Sequence, residues 1–234
     1  MAEIFNIDHE TGDLSQYTST ATDAGDLSVT AAALCGSYGL QAFIDDANSI
    51  YGQKDFNQLT SSKYRFRFYI DPNGLVMADY DEFEVCEIYY NGNYRARVIL
   101  SYLSGNYRIR ARVYSDGGVA HSTGYYVISD SEHYIECLIE YASSSTASDG
   151  VFTLWIDGVQ QEQITGLDLY DLAKPNQARL GAIGGLDAGT SGTLYLDAFI
   201  LRDDNVEIGP CGAAGRAKKR LLRVGVRQGV HLGM

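Results

Sequence analysis

Residues 82–114 read EFEVCEIYYNGNYRARVILSYLSGNYRIRARVY, and apolar and polar side chains alternate along them in three successive segments. The segments lie near 82–90, 94–102 and 106–114. Alternation with a period of two is typical of strands that bury one face. Asn91-Gly92 and Ser104-Gly105 between the segments supply the backbone conformations that tight hairpins need. This stretch therefore predicts a three-stranded antiparallel meander.

The same alternation continues outside the meander. Residues 64–71, 135–139 and 151–155 alternate in the same way, and Asp-Pro-Asn-Gly and Asp-Gly turns end two of these segments. Short strands with turns roughly every 8–14 residues favour a β-sandwich over βαβ units. We predict an all-β fold, an antiparallel β-sandwich over residues 1–209, with Cys86, Cys137 and Trp155 in its core.

The charges of the chain are unevenly distributed. Residues 1–210 hold all 30 acidic residues and 12 of the 18 Lys and Arg, so the formal charge of this part is −18. Residues 211–234 hold 6 basic residues and no acidic one. An acidic body repels polyanions at long range. We therefore expect no nucleic-acid partner for the body.

The N-terminal residues and the cysteines indicate where the protein is made. Met1–Phe5 has neither a basic nor an apolar signal region, and no apolar run long enough for a membrane span occurs. We expect cytoplasmic synthesis without a signal peptide and no membrane insertion. The four cysteines match no zinc or redox spacing, and we expect them to be reduced.

Four segments, in this order, resemble the concanavalin A-like and laminin-G-like jelly-roll domains. They are Glu10-Thr11-Gly12-Asp13-Leu14-Ser15, the arginine- and tyrosine-rich meander, residues 151–158 (VFTLWIDG) and residues 192–201 (GTLYLDAFIL). The resemblance covers about residues 1–205. It implies a jelly roll, and such domains are mostly glycan- or protein-binding modules, with glycosidases and lyases as a minority.

The pattern Glu82-Phe83-Glu84-Val85-Cys86-Glu87 is similar to the catalytic strand of laminarinase-type glucanases on this fold. There the resemblance implies a nucleophile and an acid/base at the two end positions, as a retaining mechanism requires. The central Asp of that pattern is Glu84 here, and Trp155 is the only Trp. The alternative is that Glu82 and Glu84 are the solvent side of an ordinary strand, and we predict no enzymatic activity on this basis.

Arginines recur on the polar phases of the predicted strands. If these strands are neighbours, one sheet face carries cross-strand pairs of arginine and carboxylate. The alternative is a recognition face in which Arg and Tyr bind sugars or a protein. The candidate residues of this face are Arg65, Arg67, Arg95, Arg97, Arg108, Arg110, Arg112, Tyr89 and Tyr125, with Glu82, Glu84, Glu136 and Glu140 as pairing carboxylates.

A calcium ion is a candidate cofactor. Carbohydrate-binding sandwiches of related shape join an N-terminal Glu-x-Gly segment to an Asp of a C-terminal strand through one ion. In this chain Glu10, the Gly12 carbonyl, Asp13 and Asp197 would supply oxygen ligands, which calcium prefers. The alternative is that Glu10 and Asp197 accept hydrogen bonds from loop amides.

Residues 210–234 differ sharply in composition from the body. Basic residues alternate there with Leu and Val, so we predict a C-terminal basic arm that docks on the body, on another subunit or on a larger scaffold. A disordered basic tail is the alternative. The arm residues that we expect to dock are Arg216, Lys218, Lys219, Arg220, Leu221, Leu222 and Arg223.

Together these features favour a non-catalytic binding and assembly module. A jelly roll that lacks a signal peptide and carries a docking arm fits a phage virion structural protein, such as a capsid decoration, head-fibre or tail protein, exposed on the virion surface and part of an oligomer. A glycoside hydrolase and a soluble calcium-dependent lectin are the alternatives.

Overall fold

A computed structural model describes residues 3–212 of the chain. The predicted meander is confirmed as strands β7 (Glu82–Tyr90), β8 (Asn93–Leu103) and β9 (Asn106–Tyr114). Its hairpin turns have the left-handed backbone conformation that the sequence predicts, with φ of 47° at Asn91 and 50° at Ser104.

The described residues contain sixteen strands and two single 3₁₀ turns, at Asp23–Gly25 and Asp116–Gly118. The strands are β1 (Glu3–Ile7), β2 (Ser19–Ala21), β3 (Leu27–Thr30), β4 (Gly39–Ile44), β5 (Ile50–Asp55), β6 (Lys63–Asp71), β7 (Glu82–Tyr90), β8 (Asn93–Leu103), β9 (Asn106–Tyr114), β10 (Ala120–Ser122), β11 (Tyr126–Ile128), β12 (His133–Glu140), β13 (Gly150–Ile156), β14 (Val159–Leu167), β15 (Gln177–Gly184) and β16 (Gly192–Arg202).

The strands form two antiparallel sheets. Sheet A has the order β14-β13-β12-β6-β16-β4-β3, and β1 also pairs with β16. Sheet B has the order β10-β9-β8-β7-β15-β5-β2, and β11 also pairs with β9. The predicted antiparallel β-sandwich is confirmed.

The core lies between the two sheets and is built from the apolar phase of each strand. Phe66 and Phe68 of β6 and Val98 and Leu100 of β8 are fully buried and belong to one continuous cluster. Cys137 lies in the same cluster, as predicted. Because alternate residues point to opposite faces, the polar phase of each sheet forms an outer face.

Two predictions about single residues are wrong. Trp155 is outside the core, because Phe152, Leu154 and Ile156 take the inward phase of β13 and Trp155 points outward under Arg65. The expectation that all cysteines are reduced also fails, since Cys35 forms a disulfide with Cys211 across 176 residues. Spacing along the chain could not reveal a pair that the fold brings together.

No helix within residues 3–212 has the length and apolar character of a membrane span.

Candidate functional site

The predicted arginine face is divided between the two sheets. Arg65 and Arg67 lie on β6 of sheet A, opposite Leu138 and Glu136 of β12. Arg97 and Arg110 lie on β8 and β9 of sheet B. The prediction of a single continuous arginine face is therefore wrong. The sandwich has two arginine-bearing outer faces, one on each sheet and on opposite sides.

A β-bulge in β7 sets the outer face of sheet B. Glu84 pairs with Ile99 and Cys86 with Val98, so β7 has one extra residue at this point. Val85 and Cys86 consequently both face the core and are fully buried. Glu87 follows them on the outer face, together with Glu82 and Glu84.

Glu84 is held by an ion pair in the middle of this face. Its Oε1 accepts a hydrogen bond of 2.6 Å from Arg97, and the same guanidinium donates to the hydroxyl of Tyr114. The guanidinium of Arg97 also lies 3.9 Å from the ring centroid of Tyr94. Glu84 is thus neutralised and fixed by its neighbours, as the pairing interpretation expected.

Glu87 is almost completely buried, at 2% exposure. It accepts a hydrogen bond from the hydroxyl of Tyr89, and Arg179 of β15 lies 3.7 Å away. Burial raises the pKa of Glu87, and the Tyr89 hydroxyl and Arg179 oppose this rise. Tyr89 is itself only 4% exposed, so the expectation that it presents a binding ring is wrong.

Three arginines form a row on β9, and their hydrogen-bond partners differ from those of Arg97 and Arg179, which pair with glutamates. Arg108, Arg110 and Arg112, which we call the β9 arginine row, form no ion pair with a carboxylate within the described part of the chain. Their hydrogen bonds go to hydroxyl groups. The acceptors are Ser101 for Arg108, Tyr125 for Arg110 and Ser122 for Arg112.

Tyr125 lies between the row and Glu82. Its ring is 4.4 Å from the guanidinium of Arg108 and 4.9 Å from that of Arg110. Its hydroxyl donates a 2.8 Å hydrogen bond to Glu82. Tyr125 is 40% exposed, so a ligand can reach the ring and the two cations beside it.

Arg95 does not belong to this face. The pairing of β7 with β8 shifts between Ile88 and Tyr89, which pair with Ala96 and Tyr94, so Arg95 lies at the irregularity and has no partner on β7. Its Nε donates to the carbonyl of Ala173, and it is only 7% exposed. The inclusion of Arg95 in the binding face is therefore wrong.

On the outer face of sheet A, the arginines are covered. Arg65 pairs with Glu136, and both are buried. Glu136 also accepts hydrogen bonds of 3.0 Å from the backbone N–H of Ile208 and of Gly209. Residues 203–212, which we call the C-terminal strap, therefore cross this face, and Arg65 and Arg67 are not accessible to a large ligand.

The calcium candidates near the N-terminus contact protein donors. Glu10 Oε1 accepts the backbone N–H of Ser37 and of Tyr38. Asp197 is fully buried, and its Oδ2 accepts the N–H of Leu34 and of Cys35. These contacts match the alternative in which Glu10 and Asp197 accept hydrogen bonds from loop amides. Asp197 does not fit a shared calcium site, because both of its carboxylate oxygens already contact protein donors.

Asp13 accepts hydrogen bonds from Ser15, which lower the pKa of its carboxyl. Within residues 3–212, the one group of three carboxylate, His or Cys side chains with ligand atoms inside 4.8 Å is Asp23, Asp26 and Asp45. None of the calcium candidates belongs to that group, and calcium binding stays a prediction. The docking residues predicted in the arm lie outside the described residues.

No protein-family model matches the sequence, and no curated protein matches it. Solved structures do. Endo-β-1,4-glucuronan lyase from the fungus Trichoderma reesei aligns with a TM-score of 0.63 and 12% identity, over 86% of this chain and 95% of the lyase. An alginate lyase from a Chlorella virus aligns with a TM-score of 0.61 and 12% identity, over 86% of this chain and 99% of that one.

A third similar structure is the ligand-binding domain of botulinum neurotoxin serotype D in complex with N-acetylneuraminic acid. Its TM-score is 0.58 at 9% identity, over 88% of this chain, and this chain spans about half (48%) of that domain. At these identities the likeness shows the fold, a jelly-roll sandwich shared by lyases and by binding domains. It shows neither lyase activity nor ligand binding for this chain.

Proposed function

We propose that this protein is a carbohydrate-binding module that holds an acidic glycan along the outer face of sheet B. The β9 arginine row carries this proposal. Arg108, Arg110 and Arg112 project from one strand beside the exposed Tyr125, and within residues 3–212 none of them is neutralised by a carboxylate ion pair.

The chemistry of the row suits carboxylate-bearing sugars. A guanidinium binds a carboxylate through two parallel hydrogen bonds. Alternate residues of a strand are roughly 6.6 Å apart, so the row presents cations at regular intervals along an extended chain. The ring of Tyr125 adds an apolar surface against which the C–H face of a sugar can pack.

The charge of this face is opposite to that of the body. Across β7, β8, β9 and β15 the outer face carries Arg97, Arg108, Arg110, Arg112 and Arg179 against Glu82, Glu84 and Glu87. The arginines outnumber the carboxylates, whereas residues 1–210 as a whole carry −18. A polyanion is repelled elsewhere on the body, so its binding concentrates on this face and weakens with salt.

The contacts of Glu84 and Glu87 support binding rather than glycoside hydrolysis. Glu84 is paired with Arg97, and Glu87 is buried against Tyr89 and Arg179. A retaining glycosidase needs two carboxyl groups that both reach the sugar. Catalysis by Glu82, Glu84 and Glu87 remains an untested alternative.

The binding test uses oligoglucuronate, oligoalginate and neutral cello-oligosaccharides, measured by isothermal titration at low and high salt. We expect the acidic oligosaccharides to bind, more weakly at high salt, and the neutral ones to bind less. Arg110→Ala should weaken binding roughly tenfold, about 1.4 kcal/mol. The control Arg202→Ala, on sheet A and paired with Asp204, should bind as wild type.

Two results would contradict the proposal. One is that none of the oligosaccharides binds, and the other is that Arg110→Ala binds as tightly as wild type. Shortening of the oligosaccharides during the incubation would instead favour an enzyme of the lyase or hydrolase class.

An assembly role is the second function that we propose. The C-terminal strap is fixed to sheet A by Glu136 and by the Cys35–Cys211 disulfide, so the chain leaves the described body on the side opposite sheet B. An arm that docks on a scaffold or a neighbouring subunit would leave the proposed glycan face exposed. The virion setting and the oligomer stay predictions.

Size-exclusion chromatography of the full chain against a chain that ends at Gly212 tests the assembly role. We expect an oligomer that dissociates when the arm is removed. A monomer in both cases would contradict self-assembly.

A further inference from the structure

The Cys35–Cys211 disulfide covers a buried arginine on the outer face of sheet A. Arg67 is 3% exposed, and its Nη1 lies 3.6 Å from the sulfur of Cys211. Arg67 forms no ion pair within residues 3–212. Its guanidinium lies 5.0 Å from the ring centroid of Tyr69. The cation that contacts the Cys211 sulfur thus has no direct ion pair within the described residues, and Glu136 and Asp197 act on its charge only from a greater distance.

The two cysteines have different surroundings. Cys35 is held by its backbone, because its N–H donates a 2.8 Å hydrogen bond to the buried Asp197. Cys211 lies in the C-terminal strap, where its N–H donates to the hydroxyl of Tyr69 at 2.8 Å and its sulfur contacts Arg67. Both cysteines are partly exposed, so a small thiol can reach the disulfide.

A thiolate gains stability beside a cation, and a thiol of low pKa leaves a disulfide faster than one of ordinary pKa. Arg67 supplies that cation at Cys211. Within residues 3–212 the one hydrogen bond from a cation to either sulfur of the disulfide runs from Arg67 to Cys211, so Cys211 is the better leaving group of the two.

We propose that Cys35–Cys211 is a thiol–disulfide exchange site at which a small-molecule thiol is added to Cys35. The attacking thiolate forms a new S–S bond to the sulfur of Cys35. The Cys35–Cys211 bond breaks, and its electron pair stays on Cys211 as a thiolate beside Arg67. A second thiol molecule then releases Cys35, leaving the external disulfide and two protein thiols.

The consequence for the fold is confined to the C-terminal strap. Without the disulfide, the hydrogen bonds to Glu136 and Tyr69 are what hold residues 208–211 on sheet A. Exchange therefore loosens the connection between the body and the C-terminal residues. The proposal is independent of glycan binding, because the disulfide and the β9 arginine row lie on opposite sheets.

The experiment treats the folded full chain with glutathione, quenches with iodoacetamide and locates both adducts by mass spectrometry. We expect the first product to carry glutathione on Cys35 and the alkyl group on Cys211. Cys86 and Cys137 are fully buried and serve as internal controls that stay unalkylated. Glutathione on Cys211, or a disulfide that does not react in the folded protein, would overturn the proposal.

Variants of Arg67 test the role of the cation. Arg67→Gln should react with glutathione roughly tenfold more slowly than wild type, and Arg67→Lys should react at close to the wild-type rate. Equal rates for Arg67→Gln and wild type would overturn the proposal. If Arg67→Gln does not fold, the pH dependence of Cys211 alkylation is measured in reduced wild-type protein instead. The rate of alkylation should be half-maximal at a pH below about 8.5, the ordinary pKa of a thiol. A midpoint at or above that pH would overturn the proposal.

Discussion

His9 Nδ1 lies 3.1 Å from Asp197 Oδ1, and both side chains are fully buried although 188 residues separate them. The other ring nitrogen of His9 lies 3.0 Å from the hydroxyl of Tyr17. Burial raises the pKa of Tyr17 well above its ordinary value, so Tyr17 stays protonated and can donate to this nitrogen. The tautomer of His9 that carries its proton on Nδ1 donates to Asp197 and accepts from Tyr17, and it satisfies both contacts.

Asp197→Ala should strongly destabilise the protein. The substitution leaves the buried N–H of Leu34, the partly buried N–H of Cys35 and the buried ring of His9 without their acceptor. We expect a loss of about 3 kcal/mol or more in the free energy of unfolding, measured in urea. The exposed Asp13→Ala is the control and should cost less than about 1 kcal/mol; similar losses for both variants would contradict this account.

Glu136 and Glu140 offer a matched pair on one face of β12. Each pairs with a cation of β6, but Glu136 is buried with Arg65, whereas Glu140 pairs with the half-exposed Lys63. Glu136→Gln should cost about 3–5 kcal/mol, because it leaves Arg65 buried without its ion pair. Glu140→Gln should cost at most about 1 kcal/mol.

Limited proteolysis gives a second measurement on the same pair. Glu136→Gln should also make the C-terminal strap cleavable, since two backbone N–H groups of the strap bond to Glu136. Equal stability and equal cleavage of the two variants would contradict the anchoring role.

The raised pKa of Glu87 predicts a pH dependence of stability. Since burial raises the pKa in the folded state, the folded protein binds this proton more tightly than the unfolded chain. The stabilising contribution is complete below the unfolded value, near pH 4.3, and is lost as the pH rises through the higher folded value. Wild type should therefore lose stability relative to Glu87→Gln across that interval. Urea unfolding at several pH values measures the difference, and a constant difference would refute the prediction.

Calcium binding near the N-terminus can be tested by thermal unfolding. If Glu10, Gly12 and Asp13 hold the ion, added calcium should raise the melting temperature, and a chelator should reverse the rise. Asp13→Asn should abolish the effect, whereas Asp204→Asn, whose carboxylate pairs with Arg202, should not. A melting temperature that does not respond to calcium would exclude the site.

The sequence was most informative about local structure. The inward phase of β6, with Phe66 and Phe68, follows directly from alternation, and the Asn91-Gly92 and Ser104-Gly105 turns follow from the conformational freedom that hairpins need. Both signals depend on residues that are close in the chain, so they predict the same local structure whichever strands are neighbours in the sheets.

The sequence was least informative about which strands are neighbours. Arg65 and Arg97 have the same local pattern, yet they lie on different sheets because β6 pairs with β12 and β16, and β8 with β7 and β9. His9 was missed because its partner Asp197 is distant in sequence. Its position directly before the Glu10–Ser15 segment that resembles jelly rolls was the one available signal.

The bulge in β7 has a consequence for how this surface can change. Val85 and Cys86 both point inward, so β7 has one residue more before Glu87 than regular alternation of the two faces requires. Point substitutions alter the outer face of β7 one side chain at a time. Deletion of a single residue at 85 or 86 would instead remove the bulge, and the regular alternation that results would keep Glu87 and Tyr89 on the outer face and Ile88 toward the core.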